Sequence, residues 1–295
     1  MSKKHPVIAI TGSSGAGTTS VKNAFKHIFK RLRINPTVIE GDSYHRYDRV
    51  QMREEIKKAL QERRHFSHFS PEANLLDELE NLFKQYGENG TGRLRHYIHS
   101  LAEEAHFKQP VGTCTEWEPI PASDLLFYEG LHGAVKTDTV DVARYADLLI
   151  GVVPIVNLEW IQKIHRDTAE RGYNRDEVAE TILRRMYDYV NVITPQFSRT
   201  DINFQRVPTV DTSNPFTARD IPNADESFVV IRFKDMRKFN TDFPYLLSML
   251  HDSFMSRRNT IVVPGGKMGL AMEIIFMPII EKMMEARNTN ISLTV

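Results

Sequence analysis

Cysteine is nearly absent from this chain of 295 residues, which contains a single one, Cys114. One thiol cannot close an intramolecular disulfide, and it cannot build a cysteine cage around a metal ion. The N-terminal residues lead directly into an apolar segment without the hydrophobic region of a signal peptide. We therefore expect a protein of a reducing compartment, and the cytoplasm is the expected location.

Net charge and long apolar runs are missing as well. Lysine plus arginine and aspartate plus glutamate both total 38, so the formal net charge is zero. No field of one sign attracts nucleic acid or an anionic membrane, and an anionic ligand must be held by local clusters. No apolar run approaches the ~20 residues that a membrane span needs. The sequence therefore predicts neither a nucleic-acid partner nor a membrane partner.

Short apolar runs alternate with amphipathic helical patterns along the chain. Strands are predicted at residues 6–10, 37–40, 125–128, 148–153, 209–210, 228–233 and 261–263. Helices are predicted at residues 19–33, 50–63, 71–86, 158–171 and 267–287, with one more capped by Asn174 and a glycine-rich break at 87–92. This alternation is typical of a doubly wound α/β fold with a mostly parallel sheet and helices on both faces. We expect residues 1–295 to form a single domain with insertions.

A glycine-rich segment lies between the first predicted strand and the first predicted helix, which is the context of a P-loop. It consists of Gly12, Ser13, Ser14, Gly15, Ala16, Gly17, Thr18 and Thr19. Backbone N–H groups of such a loop would bind the phosphates of ATP, and the hydroxyl of Thr19 would bind Mg²⁺. Thr18 stands where the P-loop pattern has lysine, so another cation must reach the phosphates. The fold expected is P-loop NTPase-like; the alternative is a glycine turn that only packs the strand against the helix.

Two acidic residues follow predicted strands. Asp42 comes after residues 37–40, and Glu129 comes after residues 125–128. Ligands of open α/β sheets bind outside the carboxyl ends of the strands, where the glycine-rich loop also lies. One carboxylate could therefore bind Mg²⁺ while the other accepts a proton from an attacking hydroxyl. The alternative for each is an acid that caps a helix or solvates a loop.

A cationic run follows the strand predicted at residues 148–153. Arg166 and Asp167 lie three and four residues after Lys163, and Arg171 lies four residues after Asp167, so a helix would place them on one face. Such a face suits a polyphosphate, although a solvated and self-paired helix surface is the usual alternative. The triplet at 165–167 imitates the protein-kinase catalytic loop, but the other motifs of that family are missing.

Basic and aromatic residues cluster directly after Asp42 and again at residues 93–99. His45 and Arg49 belong to the first cluster, and His99 belongs to the second. Both clusters suit a phosphorylated, hydroxyl-rich acceptor. Ordinary surface loops are the alternative, and for His99 alone that alternative is preferred.

These segments together resemble the bacterial, allosterically regulated class of phosphoribulokinases, within the phosphoribulokinase and uridine kinase family. The resemblance covers essentially the whole chain. It is carried by residues 5–8, 12–19, 40–42 with 45–46, 127–133, 151–166, 194–198, 203–208, 211–215 and 261–265. The P-loop lysine is usually missing in this class, which accounts for Thr18.

The resemblance implies a role for each candidate residue. Asp42 would be the catalytic base, Lys163 and Arg166 would serve the nucleotide and the transition state, and Asp167 would be a metal-linked acid. The residues implied for Mg²⁺ are Thr19, Glu129 and Asp167. The residues implied for ribulose 5-phosphate are His45, Arg49, His99 and Arg171. Four arginines match positions tied to regulation by NADH and AMP: Arg31, Arg185, Arg232 and Arg257.

The reaction that the resemblance implies is transfer of the γ-phosphoryl group of ATP to D-ribulose 5-phosphate, by an enzyme that assembles as an octamer. A nucleoside kinase of the uridine kinase type is one alternative, but its acceptor carries no phosphate and would not need the basic cluster. A nucleotide-sensing regulatory protein on the same fold is the other. Retention of Asp42, Glu129 and Asp167 favours an enzyme over a sensor.

Overall fold

Strands and helices alternate along much of the chain, as the sequence predicts. The structure, a computed structural model, describes residues 4–13, 18–169 and 172–292. Its strands are β1 (Val7–Thr11), β2 (Pro36–Glu40), β3 (Arg93–Leu94), β4 (Glu118–Pro119), β5 (Leu125–Gly130), β6 (Leu148–Val153), β7 (Ile202–Pro208), β8 (Ser227–Phe233), β9 (Phe254–Arg257) and β10 (Thr260–Pro264). Its α-helices are α1 (Thr18–Leu32), α2 (Arg49–Gln61), α3 (Leu76–Asn89), α4 (Leu101–Phe107), α5 (Val156–Ala169), α6 (Arg175–Asp188), α7 (Phe243–Met249) and α8 (Met268–Ser292).

One sheet joins strands from both ends of the chain, in the order β2-β5-β1-β6-β7-β8-β10-β9. The pairs from β2 to β7 are parallel, and β8, β10 and β9 extend the sheet in antiparallel fashion. The sheet is therefore mostly parallel, as predicted, and its order doubles back around β1 as in doubly wound folds. The sheet draws on residues 7 to 264; that the chain forms a single domain stays a prediction.

Helices cover both faces of the sheet because alternate residues of the parallel strands are apolar on either side. In β1, Ile8 and Ile10 belong to a core with α1 and α8, in which the rings of Phe25 and Phe276 lie 4.9 Å apart. Val7 and Ala9 of the same strand belong to a second core with α3. The glycine-rich segment begins directly after this doubly buried strand.

Most predicted elements are confirmed, and two predictions are wrong. Residues 209–210 do not form a strand, because the strand lies just before them as β7. Its alternation of Phe204 with polar residues marks a strand with one half-buried face, which is a weaker signal than an unbroken apolar run. The break at residues 87–92 is also misplaced, since α3 continues to Asn89 and ends at Gly90, whose φ is +70°. A glycine inside a helix costs only about 1 kcal/mol, so Gly87 does not end it.

The helix after α5 begins as predicted. Asn174 caps α6 in a capping box with Glu177, and Gly172 before it adopts a φ of +68°. Among the described helices, none is both long enough and apolar enough to cross a bilayer.

Candidate active site

Two glycines bring the candidate acids together at the carboxyl ends of β2 and β5. A Cβ atom on Gly41 would lie 2.8 Å from the Cα atom of Gly130, and one on Gly130 would lie 2.6 Å from the Cα atom of Gly41. Any larger residue would therefore push the two strand ends apart. Gly130 also accepts a hydrogen bond of 3.2 Å from the N–H group of Gly12, at the start of the glycine-rich loop. Asp42, Glu129 and that loop consequently meet at one edge of the sheet.

Asp42 lies between two histidines. It belongs to the 3₁₀ turn Gly41–Tyr44 that follows β2. Its Oδ1 atom is 3.6 Å from Nε2 of His45, and its Oδ2 atom is 3.7 Å from Nε2 of His99. The Asp42 side chain is 44% exposed, so its carboxylate faces solvent while both rings flank it. Burial lowers the pKa of His45 even though Asp42 opposes the shift, so this imidazole is neutral at pH 7.

Arg95 holds the turn that carries Asp42. Its Nε and Nη2 atoms each donate a hydrogen bond of 2.7 Å, to the carbonyl oxygens of Ser43 and His45 respectively. Its guanidinium group lies 4.6 Å from the centre of the Trp117 ring. The fork of an arginine fixes two carbonyl groups at once, which a lysine could not do. Arg95 is thus a structural support for the candidate base.

Tyr97 joins the residues predicted to bind the acceptor. Its ring lies 5.5 Å from that of His45 and 4.8 Å from that of His99. Burial raises the pKa of Tyr97, and the charge and hydrogen bond of Arg49 oppose the shift. Arg49 is the exposed first residue of α2. The structure therefore brings together His45, Arg49 and His99, whereas Arg171, the fourth predicted acceptor residue, lies outside the described residues.

The cationic face of α5 is buried rather than solvated. Lys163 and Asp167 form an ion pair, and both side chains are at most 10% exposed. Arg166 donates to the other oxygen of Asp167 at 2.8 Å. Burial, together with the nearby charge of Arg185, lowers the pKa of Lys163 to about 8, although Asp167 opposes the shift. Burial raises the pKa of Asp167, but the bonds and charges of Lys163 and Arg166 outweigh it, and the net shift is downward.

The metal-site prediction fits one carboxylate better than the other. Both oxygens of Asp167 are occupied by cations, so this residue is better suited to hold Lys163 and Arg166 than to bind an ion directly. Glu129 lies half-buried at the end of β5, and Thr19 lies in the first turn of α1. Mg²⁺ in kinase sites typically binds one or two carboxylates together with phosphates and water. Glu129 could supply such a carboxylate. Within the described ranges, no group of three or more His, Cys, Asp or Glu residues is arranged to hold a metal ion.

Of the glycine-rich loop, the structure describes its two ends. Gly12 and Ser13 are described and Ser13 is fully buried, and α1 begins at Thr18. The predicted nucleotide-binding residues Ser14, Gly15, Ala16 and Gly17 lie outside the described residues. The strand before the loop and the helix after it are those that the P-loop prediction requires.

Arg185 lies on the acceptor side of the site, beside residues that the sequence analysis did not single out. Its Nη2 atom is 3.2 Å from Nδ1 of His68, and its guanidinium group lies 5.0 Å from the centre of the Phe69 ring. Burial lowers the pKa of Arg185 to about 10, and the charges of Asp167 and Asp42 oppose that shift. This arginine therefore adds buried positive charge between the candidate base and the α5 ion pair.

The other three predicted effector arginines lie elsewhere. Arg232 and Arg257 are both exposed, and both are paired with Thr260 in the antiparallel part of the sheet. Ile231 and Phe233, on either side of Arg232, pack in the core with α1 and α8, so Arg232 faces the opposite side. Arg31 belongs to α1 and lies 4.0 Å from Glu273 of α8. The four arginines thus belong to four different elements, α1, α6, β8 and β9, and their regulatory role stays a prediction.

Sequence analysis also missed Glu159. This residue is buried, one helical turn before Lys163 on α5, and it accepts hydrogen bonds from Ser13 and Tyr189. Extending the Lys163–Asp167 face backward by four residues would have reached it. His68 carried no comparable signal, because its contacts with Arg185 and His45 come from distant segments.

Comparison with known proteins agrees with this arrangement. The sequence profile of the Phosphoribulokinase / Uridine kinase family matches residues 7–213. The chain is 63% identical to the chromosomal phosphoribulokinase of Cupriavidus necator, across 97% of this chain and 98% of that one. It is 61% identical to the phosphoribulokinase of Nitrobacter vulgaris, across 97% and 99% of the two chains. The solved phosphoribulokinase of Rhodobacter spheroides superposes with a TM-score of 0.88 at 54% identity, across 97% of this chain and all of that one. With its parallel sheet, its glycine-rich loop and its acids at the strand ends, the chain belongs to the phosphoribulokinase and uridine kinase family.

Proposed function

We propose that this protein transfers the γ-phosphoryl group of Mg-ATP to the primary hydroxyl of D-ribulose 5-phosphate, giving D-ribulose 1,5-bisphosphate. The observation that carries the proposal is the placement of Asp42. Its half-exposed carboxylate lies between His45 and His99, at the strand edge where the glycine-rich loop begins. Relatives named phosphoribulokinase match the chain over nearly its full length at about 60% identity.

Asp42 is the proposed general base. Its carboxylate would accept the proton of the attacking hydroxyl as the bond to phosphorus forms. Arg95 fixes the carbonyl groups of Ser43 and His45, which follow Asp42, so the backbone that carries the carboxylate is held in place before the substrate arrives. A base held in advance loses little entropy at the moment of reaction.

A neutral imidazole next to Asp42, that of His45, suits a hydroxyl-rich sugar. Burial keeps His45 uncharged near pH 7, so its ring can accept as well as donate a hydrogen bond. The phosphate of the acceptor would bind the exposed guanidinium group of Arg49, which Tyr97 orients. A nucleoside acceptor carries no phosphate for this arginine, and the cluster therefore favours a sugar phosphate over a nucleoside.

The nucleotide would lie on the other side of Asp42. The N–H groups of the glycine-rich loop and the start of α1 would bind its phosphates. Mg²⁺, held by Glu129 and the hydroxyl of Thr19, would supply positive charge to the phosphate oxygens when bound. Lys163 and Arg166 would add the cationic charge that Thr18 does not provide. Asp167 would orient both side chains through its two carboxylate oxygens.

A cavity of about 260 Å³ suits the adenosine part of ATP. It opens at the carboxyl ends of β6 and β7, and its apolar lining includes Val152, Phe204 and Met272, with Gln162 as a polar group. Glu159, which contacts the first serine of the glycine-rich loop, also lines it. Ligand cavities of open α/β sheets lie at this edge.

One assay tests the proposal. Purified protein with Mg-ATP is given ribulose 5-phosphate, ribose 5-phosphate or uridine, and ADP formation is measured against a reaction without acceptor. We expect ribulose 5-phosphate to be preferred by a wide margin in kcat/KM. Preference for uridine would identify a nucleoside kinase, and ADP formation no faster than without an acceptor would remove the kinase assignment.

A further inference from the structure

A buried carboxylate connects the glycine-rich loop to the cationic helix. Glu159 lies in the first turn of α5 and is 5% exposed. Its Oε1 atom accepts a hydrogen bond from the hydroxyl of Ser13, and its Oε2 atom accepts one of 3.0 Å from the hydroxyl of Tyr189. Burying a carboxyl group is costly unless it is hydrogen-bonded, so a conformation that keeps both bonds is strongly favoured over one that breaks them.

Ser13 gives this contact its importance. It is the second residue of the loop segment 12–19 and is fully buried. The neighbouring Gly12 donates its N–H group to Gly130 of β5. The first arm of the loop is therefore held from two directions, by β5 through the backbone and by α5 through Glu159.

Tyr189 extends the connection to the acceptor side. It is the first residue of the π-helical turn Tyr189–Ile193, which follows α6 directly. Such turns are rare and frequently occur at functional sites. The Tyr189 ring packs in a small cluster with Phe69 and Ile193, and Phe69 lies against Arg185. Glu159 thus connects Ser13 of the loop to Tyr189 and, through the ring of Tyr189, to Phe69 beside Arg185.

We propose that Glu159 is a positioning residue. It holds the glycine-rich loop at a fixed position relative to Lys163, Arg166 and Asp167. It lies one helical turn before Lys163, so a shift of the loop relative to α5 would change the distance from the phosphates to that cation. The side chain acts through Ser13 and Tyr189. The inference rests on the proposed function, because it assumes that the loop binds the phosphates of ATP.

The test compares Glu159→Gln with Ser13→Ala, and uses Glu88→Gln as a control at an exposed position of α3. Binding of Mg-ATP is measured by isothermal titration calorimetry without any acceptor, and steady-state constants are measured separately. We expect both variants to weaken ATP binding by about tenfold, as for loss of one hydrogen bond to a charged group. The KM for ribulose 5-phosphate should change by less than about twofold, since the hydrogen bonds of Ser13 and Glu159 join them to each other and to Tyr189 rather than to the Asp42 turn.

A double mutant distinguishes positioning from simple stabilisation. If Glu159 acts through Ser13, the Ser13→Ala/Glu159→Gln protein should bind ATP no more weakly than either single variant. Additive losses would show that the two residues act separately and would overturn the inference. A lowered Tm with unchanged ATP affinity would also overturn it, because it would make Glu159 a purely structural carboxylate.

Two further arms keep the test decisive. If Glu159→Gln does not fold, the ATP affinities of Ser13→Ala and Tyr189→Phe test the proposal instead. Unchanged ATP affinity in Ser13→Ala would refute it. Failure of the proposed function looks different: the wild-type protein would bind ATP but would not phosphorylate ribulose 5-phosphate. In that case the calorimetric comparison still tests Glu159.

Discussion

Lys163 and Asp167 lie one turn apart on α5 and form an ion pair that is almost completely buried. Burial of a lysine normally favours its neutral form, and here it lowers the pKa of Lys163 to about 8. Asp167 opposes that shift and keeps the ammonium group charged near neutral pH. The pair therefore keeps a desolvated cation on the same helix as Glu159, whose Oε1 atom accepts a hydrogen bond from Ser13 of the glycine-rich loop.

Replacing Lys163 should slow the chemical step. We expect Lys163→Met to lower kcat by the equivalent of about 2–4 kcal/mol of barrier, as for loss of one preorganised charge. Thr18→Lys should partly rescue this variant by returning a cation to the loop. Single-turnover rates at saturating Mg-ATP measure the effect, and Lys84→Met on α3 is the exposed control. A loss of less than about threefold would show that the charge comes from another residue.

Removal of Lys163 also leaves Asp167 with Arg166 as its cationic partner, and loss of one partner of a buried ion pair is destabilising. The double variant Lys163→Met/Asp167→Asn separates the two effects. It should recover Tm relative to Lys163→Met without recovering turnover.

The pKa of Lys163 predicts an alkaline limit of activity. As pH rises through about 8, the free enzyme loses the proton of Lys163 and with it the cation, so kcat/KM for ATP should fall. Lys163→Arg keeps its charge throughout this range, and its alkaline limb should move upward or vanish. Identical pH profiles for the two proteins would assign the limb to another group.

Loss of the proposed base should affect turnover far more than nucleotide binding. Asp42→Asn is expected to lower kcat by about 10²–10⁴-fold, the usual range for removal of a general base. Calorimetric affinity for ATP should stay close to that of the wild type, because the Asp42 side chain faces the histidines. Asp138→Asn, in an exposed loop, is the matched control. Near-normal turnover in Asp42→Asn would remove this residue from the mechanism.

The acceptor cluster should distinguish sugar phosphate from ATP. Arg49→Ala and His45→Asn are expected to raise the KM for ribulose 5-phosphate by at least about tenfold, with little change in the KM for ATP, as for loss of a hydrogen bond to a charged group. Arg53→Ala tests the same surface of α2 one turn further along and should have little effect. If the KM for ATP rose instead, these residues would belong to the nucleotide side.

Regulation can be tested with the exposed arginines. We expect NADH to raise the activity of the purified protein and AMP to lower it, with both responses weakened in Arg232→Ala and Arg257→Ala. Arg237→Ala, whose side chain is 94% exposed, serves as the control. An unregulated enzyme would respond to neither compound at millimolar concentration, and the four arginines would then need another explanation.

Local patterns were sufficient for much of the fold. The parallel strands, the loop between β1 and α1, the cap at Asn174 and the common face of Lys163, Arg166 and Asp167 all depend on spacings of a few residues. Backbone periodicity and turn chemistry act over that range, so the sequence reports them directly. The antiparallel extension from β8 to β9 was not anticipated, because an apolar run carries no information on strand direction.

The site itself depended on contacts between distant segments. Ser13 and Glu159 are separated by 146 residues, and Arg95 reaches the Asp42 turn from 52 residues away. Whether the α5 cluster is solvated or buried could not be read from its spacing, since both arrangements share it. Burial follows from packing of α5 against α6, where Ile164 contacts Val178 and Ile182, and burial is the main cause that lowers the pKa of Lys163. The sequence alone therefore determined the residue types and the helix face on which they lie. The tertiary structure decided which charges pair with one another, and, because the folded chain excludes water from the site, it also decided their pKa values.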